Sequence, residues 1–363
     1  MDTNKRKQQV NVEMTKLDKA IAILAAAETT GVINTLVERS AISCQQNALL
    51  LHLPFYAPSW LAKLKQKCQV KLAMLGLTLS VNTQVATMAA KQAQTITGVK
   101  NVLVVASGKG GVGKSTVAVN LALALAKNGA KIGMLDADIY GPSVPLMLGQ
   151  QDTRPQSIDG KTMTPISAHG LVANSIGFLV PKDDATVWRG PMASKALAQI
   201  IRETRWGELD YLVVDMPPGT GDIQLTLAQQ VPVTSALIVT TPQNVALADA
   251  SKGINMFRKV NVPVVGVVEN MSMHVCSECG HQEAIFSHGG AAELAEQYEA
   301  PLLAQLPLHR HFCQDTDQGT PTVVARPDSA LTLAYRDLAE QVAINLYQTG
   351  QLGLQSIPVM AVD

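Results

Sequence analysis

The sequence predicts an α/β protein: a mostly parallel sheet with helices on both faces, preceded by a small α+β domain. Three observations carry that reading. Apolar, β-branched runs recur between residues 100 and 270: NVLVVAS, KIGMLDAD, YLVVDMPPG, SALIVTTP and VPVVGVVENM. Strands buried on both faces of a parallel sheet are apolar throughout rather than alternating. Helical segments such as STVAVNLALALAKNG, MASKALAQIIRET and NVALADASKGINMF alternate with these runs. The first strand also enters a glycine-rich turn, SGKGGVGKST, that opens a helix ending at Gly129.

Ahead of this region, from about Lys16 to Ser80, the pattern changes to that of a smaller unit. TKLDKAIAILAAA reads as a short helix, AISCQQNALLLHLPF as a strand pair or a bent strand. A second helix starts near Pro58, and LTLSVNT forms another strand. The segment TMAAKQAQTITGVK reads as a connecting helix or linker. The expected division is therefore a small α+β domain over 1–90, a linker over 91–99, a nucleotide-binding domain over 100–350 and a tail over 351–363.

Composition narrows the function. Lys and Arg number 29, as do Asp and Glu. A neutral chain argues against a broad nucleic-acid surface, though not against one phosphate site. No window resembles a membrane-spanning helix, and MDTNKRKQQV has no apolar signal core. Five cysteines, an odd and sparse set, are unlike a secreted disulfide framework and imply a cytoplasmic location.

The turn from Ser107 to Thr116 contains GxxxxGK[ST] as Gly108 to Ser115, the P-loop pattern of an NTPase. Gly108, Gly110, Gly111 and Gly113, with Val112 between them, let the backbone turn its N–H groups toward phosphate oxygens. The helix behind adds its positive end. Lys114 reaches the β- and γ-phosphates, the Ser115 hydroxyl ligates Mg²⁺, and Thr116 caps the same turn. Two further strands end in carboxylates: Asp136 and Asp138 in LDADIYGPS, and Asp215 in YLVVDMPPG, suited to direct or water-mediated contact with Mg²⁺. Gly219, Gly221 and Asp222 follow in a turn able to sense the γ-phosphate.

HVCSECGH, His274 to His281, holds the pair Cys276 and Cys279. Four thiolates are the usual complement for [4Fe–4S] and also for tetrahedral zinc, and this chain has one such pair. The residues alone leave several readings open. His281 could complete a Cys₂His zinc site, the pair could be redox-active, or it could belong to a structural loop. Cys44, Cys68 and Cys313 read as packing thiols. His309 and His311 flank Cys313 closely enough to leave metal contact open.

Lys109 adds a second lysine to the loop. GKGGVGKS resembles the deviant Walker A motif of the MinD/ParA/nitrogenase-iron-protein NTPases. Together with DADIYGPS, VDMPPGTGD, TTPQNVALAD, ENMS and the CSEC pair, it resembles the Mrp/ApbC iron–sulfur carrier family. The resemblance implies several things. Lys109 crosses a homodimer interface to phosphate bound by the facing subunit. Asp138 orients the attacking water, Asp136 stands in the metal's outer shell, and Asn270 contacts the adenine. Cys276 and Cys279 join the same pair of a second copy around one shared cluster, with [4Fe–4S] expected. ATP and Mg²⁺ are then the cofactors, and slow hydrolysis is coupled to cluster transfer from scaffold donors to apo-proteins, with no nucleic-acid or membrane partner. The resemblance also places an iron–sulfur assembly domain at the N-terminus. TGVINTLVERSAI, however, lacks the acidic turn expected there, so that domain is degenerate. A ParA/MinD-like positioning ATPase would need an amphipathic tail or a basic DNA patch. A nitrogenase-like electron donor would keep its cluster cysteines in separate segments.

Overall fold

The structure, a computed structural model, describes residues 16–90, 95–179, 190–276 and 278–353, without the side chains of residues 190, 191, 222 and 223. The chain divides into two compact units, Met1–Ala86 and Thr87–Asp363.

The first unit contains α1 (16–27), α2 (Val32–Glu38), the hairpin strands β1 (Ile42–Gln45) and β2 (Ala48–Leu53), α3 (Pro58–Met74) and β3 (Thr78–Thr83). Its sheet order is β1-β2-β3, with β2 antiparallel to β1 and parallel to β3. The parallel pairing is possible because α3 supplies the crossover that such strands require. Pro58 begins that helix, where its missing N–H costs nothing, and Leu64, Cys68 and Leu72 form its buried stripe. Cys68 is the packing thiol the sequence suggests, its pKa pushed up by burial. Cys44 departs from expectation: it is only half-buried, close to the hairpin turn, with Sγ 4.0 Å from the Gln46 carbonyl.

The second unit is built on an eight-stranded sheet. Its strands are β4 (Val99–Ala106), β5 (Ile132–Asp136), β6 (Ile166–Ala168), β7 (Leu171–Ser175), β8 (Leu209–Asp215), β9 (Ser235–Thr240), β10 (Val264–Glu269) and, beyond a two-strand ribbon β11 (His274–Val275) and β12 (Gln282–Glu283), β13 (Leu302–Gln305). The sheet order is β13-β10-β9-β4-β8-β5-β7-β6, parallel except for the β6–β7 edge hairpin. The central strands β5, β8 and β9 are buried along their whole length, which explains their unbroken apolar sequences.

Helices cover both faces. On one, α4 (Lys114–Asn128) packs against α12 (Ala330–Thr349), with the short α5 (Val144–Met147), α10 (Arg310–Asp317) and α11 (Thr322–Ala325) nearby. Because α4 lies between sheet and α12, Val117 to Leu125 are buried on every side, and Leu121 alone contributes about 1.5–3 kcal/mol. Gly129 ends the helix at φ 119°, its own N–H returning to the Ala126 carbonyl and that of Ala130 to the Leu125 carbonyl. On the other face, α6 (Gly190–Glu203), α7 (Asp222–Gln230), α8 (Asn244–Lys259) and α9 (Gly290–Gln297) pack in succession. Their Leu197, Leu227, Ile254 and Phe257 meet Val102 and Val104 of β4, the residues that alternate with those facing α4.

The linker reading is modified. No helix is present in the described residues of 87–98; instead Ala89 N–H and Gly353 N–H cross-bond with the Gln351 and Thr87 carbonyls. Residues 91–94 and the tail beyond 353 lie outside the described residues. No described helix is long and apolar enough to cross a membrane.

Candidate functional site

The sheet order places the loops after β4, β5, β8, β9 and β10 along one edge, where ligands bind in open α/β sheets. The phosphate loop follows the central strand. Gly113 holds φ 80° at the N-cap position, and α4 begins at Lys114. The cap expected of Thr116 is replaced by this left-handed glycine, which has no side chain to occupy the helix's first N–H groups. Gly108 lies so close to α8 that an added Cβ would meet the Asp249 carbonyl at 2.0 Å, whereas Gly110 and Gly111 face open space. Lys109 is exposed beside them, its carbonyl accepting a 2.9 Å bond from the Ser107 hydroxyl. The Gly219 N–H donates to the Ser107 carbonyl at 2.9 Å, which docks the turn after β8 on the loop.

Three carboxylates gather behind Lys114. Its side chain is 6% exposed, and the ammonium lies 2.5 Å from Asp215 Oδ1 and 3.2 Å from Ser115 Oγ. Asp215 is fully buried, and its Oδ2 has no hydrogen-bond partner among the described residues. Burial drives its pKa up and Lys114 opposes the rise. Strand register puts Asp136 directly beside Asp215. Burial first, then that neighbouring charge, push Asp136 up to about 7. Its oxygens accept from the Asp138 and Val144 N–H groups, both at 3.1 Å, and from the Ser175 hydroxyl at 3.0 Å. Asp136 therefore shapes the loop that carries Asp138. Asp138 is half-buried; desolvation raises its pKa, against the pull of Lys114.

These features fit a nucleotide with its cation. The glycine turn leaves room for phosphates. A buried carboxylate oxygen lacking a partner, next to the Ser115 hydroxyl, is the hard oxygen donor set that Mg²⁺ takes.

The cysteine pair is joined to this loop through one strand end. Asn270, 7% exposed, follows β10 and donates its side-chain N–H to the Val112 carbonyl at 2.8 Å. Met271 then turns through φ 56°, and the segment is laced to the next strand exit: Ser272 N–H to the Leu306 carbonyl at 2.9 Å, Leu308 N–H to the Met273 carbonyl at 2.8 Å. The β11–β12 ribbon closes over a tight turn in which Cys276 N–H bonds the His281 carbonyl and Gly280 N–H bonds the Cys276 carbonyl, both at 2.9 Å. Gly280 holds φ 72°. The Cys279 and Glu278 N–H groups face the Cys276 sulfur and draw its pKa below the usual thiol value. Such donors stabilise a thiolate, the form that binds metal. Cys276 is half-buried and Cys279 exposed.

Among the described residues no three of His, Cys, Asp and Glu converge as a metal site. The His309 and His311 rings lie 4.4 Å apart, tilted by 52°, with His309 Nδ1 accepting the His311 N–H to cap α10. Cys313, expected to pack, is exposed on α10 and donates to Asp317 Oδ2 at 3.3 Å. Sequence reasoning did not single out Ser175. It ends β7, a strand that carries no motif, and only its contact with Asp136 marks it.

A glycine loop between parallel strand and helix, with a buried lysine and strand-end carboxylates behind it, defines a P-loop NTPase. Residues 98–343 match the ParA family in its form described as the NUBPL iron-transfer P-loop NTPase, and the chain belongs to that family. It is 59% identical over 307 residues to an iron–sulfur cluster carrier protein of Salmonella typhimurium, covering 83% of each chain. It is 47% identical to the mouse iron–sulfur cluster transfer protein NUBPL, over 73% of this chain and 83% of that one. A nucleotide-binding protein from Archaeoglobus fulgidus, solved with ADP, superposes with TM-score 0.57 at 34% identity, over 65% of this chain and 91% of the other. The cell division ATPase MinD of Pyrococcus furiosus shares the fold, at TM-score 0.50 and 23% identity over 67% of this chain and 98% of that one.

Proposed function

We propose that this protein is a cytoplasmic, ATP-hydrolysing carrier that holds an iron–sulfur cluster between two copies of itself and hands it to apo-proteins. The observation that carries the reading is the turn around Cys276: backbone N–H groups converge on a thiol three residues before a second one. A single copy gathers two thiolates, and a two-fold axis supplies the other two that a [4Fe–4S] cluster takes.

The glycine loop binds the triphosphate through its N–H groups. Lys114, drawn from Asp215 toward the phosphates, neutralises their charge, and Lys109 reaches the nucleotide of the facing copy. Ser115 and Asp215, with Asp136 behind them, would hold Mg²⁺, which stabilises charge on the phosphoryl oxygens when bound. Asp138 orients the water whose oxygen bonds to the γ-phosphorus as the bond to the ADP oxygen breaks. Asn270 lies at the adenine side and links the loop to the cysteine turn, so nucleotide occupancy and the position of Cys276 change together. Turnover is slow, as suits a switch between loading and release.

The test is anaerobic reconstitution, with iron and sulfide measured per dimer in the wild type and in Cys276→Ser. The reading requires loss of the cluster, with ATP binding kept. A Cys279→Ser variant that still delivers cluster at the wild-type rate would overturn it.

A further inference from the structure

The N-terminal unit has an open sheet edge that the carrier reading does not use. In the parallel pairing of β2 and β3, Thr78 N–H bonds the Asn47 carbonyl and Gln84 N–H bonds that of Leu53. Residues of one parity thus face β2, so the N–H and C=O groups of Leu79, Val81 and Thr83 point to the free edge, where no described strand pairs with them. An unpaired row of this kind is a template for another strand.

Next to that edge lies a cavity of about 290 Å³ between β3 and α3, lined by Lys65, Cys68, Gln69, Leu72, Leu77 and Leu79. Its floor is apolar, since Cys68 and Leu72 are buried. The helix beside it carries Lys63, Lys65, Lys67 and Lys71 and no acidic residue. Val70 and Met74, one turn apart on the same helix, are 65% and 80% exposed. The charge is local. Among residues 16–86 the only acids are Asp18, Glu28 and Glu38, although the whole chain is neutral.

We propose that this edge is a docking site for an extended acidic segment of a partner protein, which adds as a strand beside β3. Its main chain would bond Leu79, Val81 and Thr83, one apolar side chain would enter the cavity, and its carboxylates would meet the lysines of α3. Strand addition beside a helix-flanked groove is an established mode of peptide recognition. A second copy of this chain fits less well, because edge-to-edge pairing would bring two lysine-rich helices together. Nucleic acid would satisfy the lysines and leave the strand edge unpaired.

The test uses the full chain, titrated by fluorescence anisotropy with a labelled peptide of alternating Glu and Val, and with its Lys and Val counterpart. The acidic peptide binds, the basic one does not, and affinity falls with added salt. Val81→Pro removes an outward N–H at an edge strand, where proline is tolerated, and weakens binding by roughly tenfold. Lys65→Glu combined with Lys71→Glu reverses the preference. Hydrogen exchange of the wild type shows new protection at Leu79, Val81 and Thr83, a readout that stands even if the proline variant fails to fold. Equal binding of the two peptides, protection confined to other segments, displacement of the acidic peptide by duplex DNA, or pairing of two copies through β3 would each overturn the proposal.

Discussion

Asn270 donates its side-chain N–H to the Val112 carbonyl at 2.8 Å, joining two loops 158 residues apart in sequence. The same side chain explains Gly113, where an added Cβ would meet Asn270 Nδ2 at 2.3 Å. The phosphate loop and the strand exit leading to Cys276 are therefore fitted to each other. Replacing Asn270 by Ala strands a buried carbonyl, at a cost of about 1–3 kcal/mol. The variant should melt several degrees lower. ATP should no longer alter hydrogen exchange across residues 274–281, as it is expected to do in the wild type. Unchanged nucleotide-dependent exchange in the variant would show that coupling runs by another route.

The Asp136–Asp215 pair predicts a pH dependence of stability. Asp136 moves from an ordinary value of 3.8 to about 7 on folding, because it is buried beside a second carboxylate. The folded state then holds its proton more tightly than the unfolded state. Stability from this group is complete below pH 3.8 and is lost as pH rises through about 7. The full displacement corresponds to about 4 kcal/mol. Asp136→Asn has no proton to lose. In urea denaturation with a chelator present, the stability of wild type relative to this variant should decline from pH 5 to pH 7 and level off above pH 8. A difference that is flat with pH would mean that Asp136 ionises normally.

Gly108 and Gly110 make a paired test of the loop. An alanine methyl at 108 would strike the Asp249 carbonyl and the start of the next peptide, and backbone cannot swing aside as a side-chain tip can. Gly108→Ala should lose several kcal/mol and much of its nucleotide binding. At Gly110 the methyl meets nothing within 4 Å, so Gly110→Ala should keep its melting temperature, within about 0.5 kcal/mol in stability. Any loss of ATP affinity there reports on the phosphate space itself. Thermal melts and nucleotide titration of both variants separate the two roles.

The central sheet was legible because its strands are apolar along their length, and the P-loop because glycine spacing and a following helix are local signals. Asp136, Asp138 and Asp215 were legible because they end such strands. What was not legible depends on contacts distant in sequence. Asn270 shows its link to Val112 only once β10 and β4 lie in one sheet. Ser175 has no pattern around it, and its hydroxyl matters because β7 pairs with β5. The edge strands β6 and β13 are three and four residues long, too short to establish a periodicity. Cys44 and Cys313 read as packing thiols from the sequence, yet Cys44 is only half-buried beside its hairpin turn and Cys313 is exposed on α10, a distinction set by packing rather than by composition.

The cysteines should differ in reactivity for reasons visible in their surroundings. Thiolates, not thiols, attack alkylating agents. At Cys276 the N–H groups of Cys279 and Glu278 favour the thiolate. At Cys313 the hydrogen bond to Asp317 and that residue's negative charge favour the thiol, although the site is exposed. Burial both covers Cys68 and raises its pKa. Chelator-treated, fully reduced protein exposed briefly to iodoacetamide near neutral pH should therefore label Cys276 ahead of Cys313, and Cys68 last. Peptide mass spectrometry over time gives the order. Asp317→Asn removes the charge beside Cys313 and should speed its labelling while leaving Cys276 unchanged. If Cys313 reacted first in the wild type, exposure rather than the N–H donors of the turn would control reactivity. The case for a turn built to hold a thiolate would then fail.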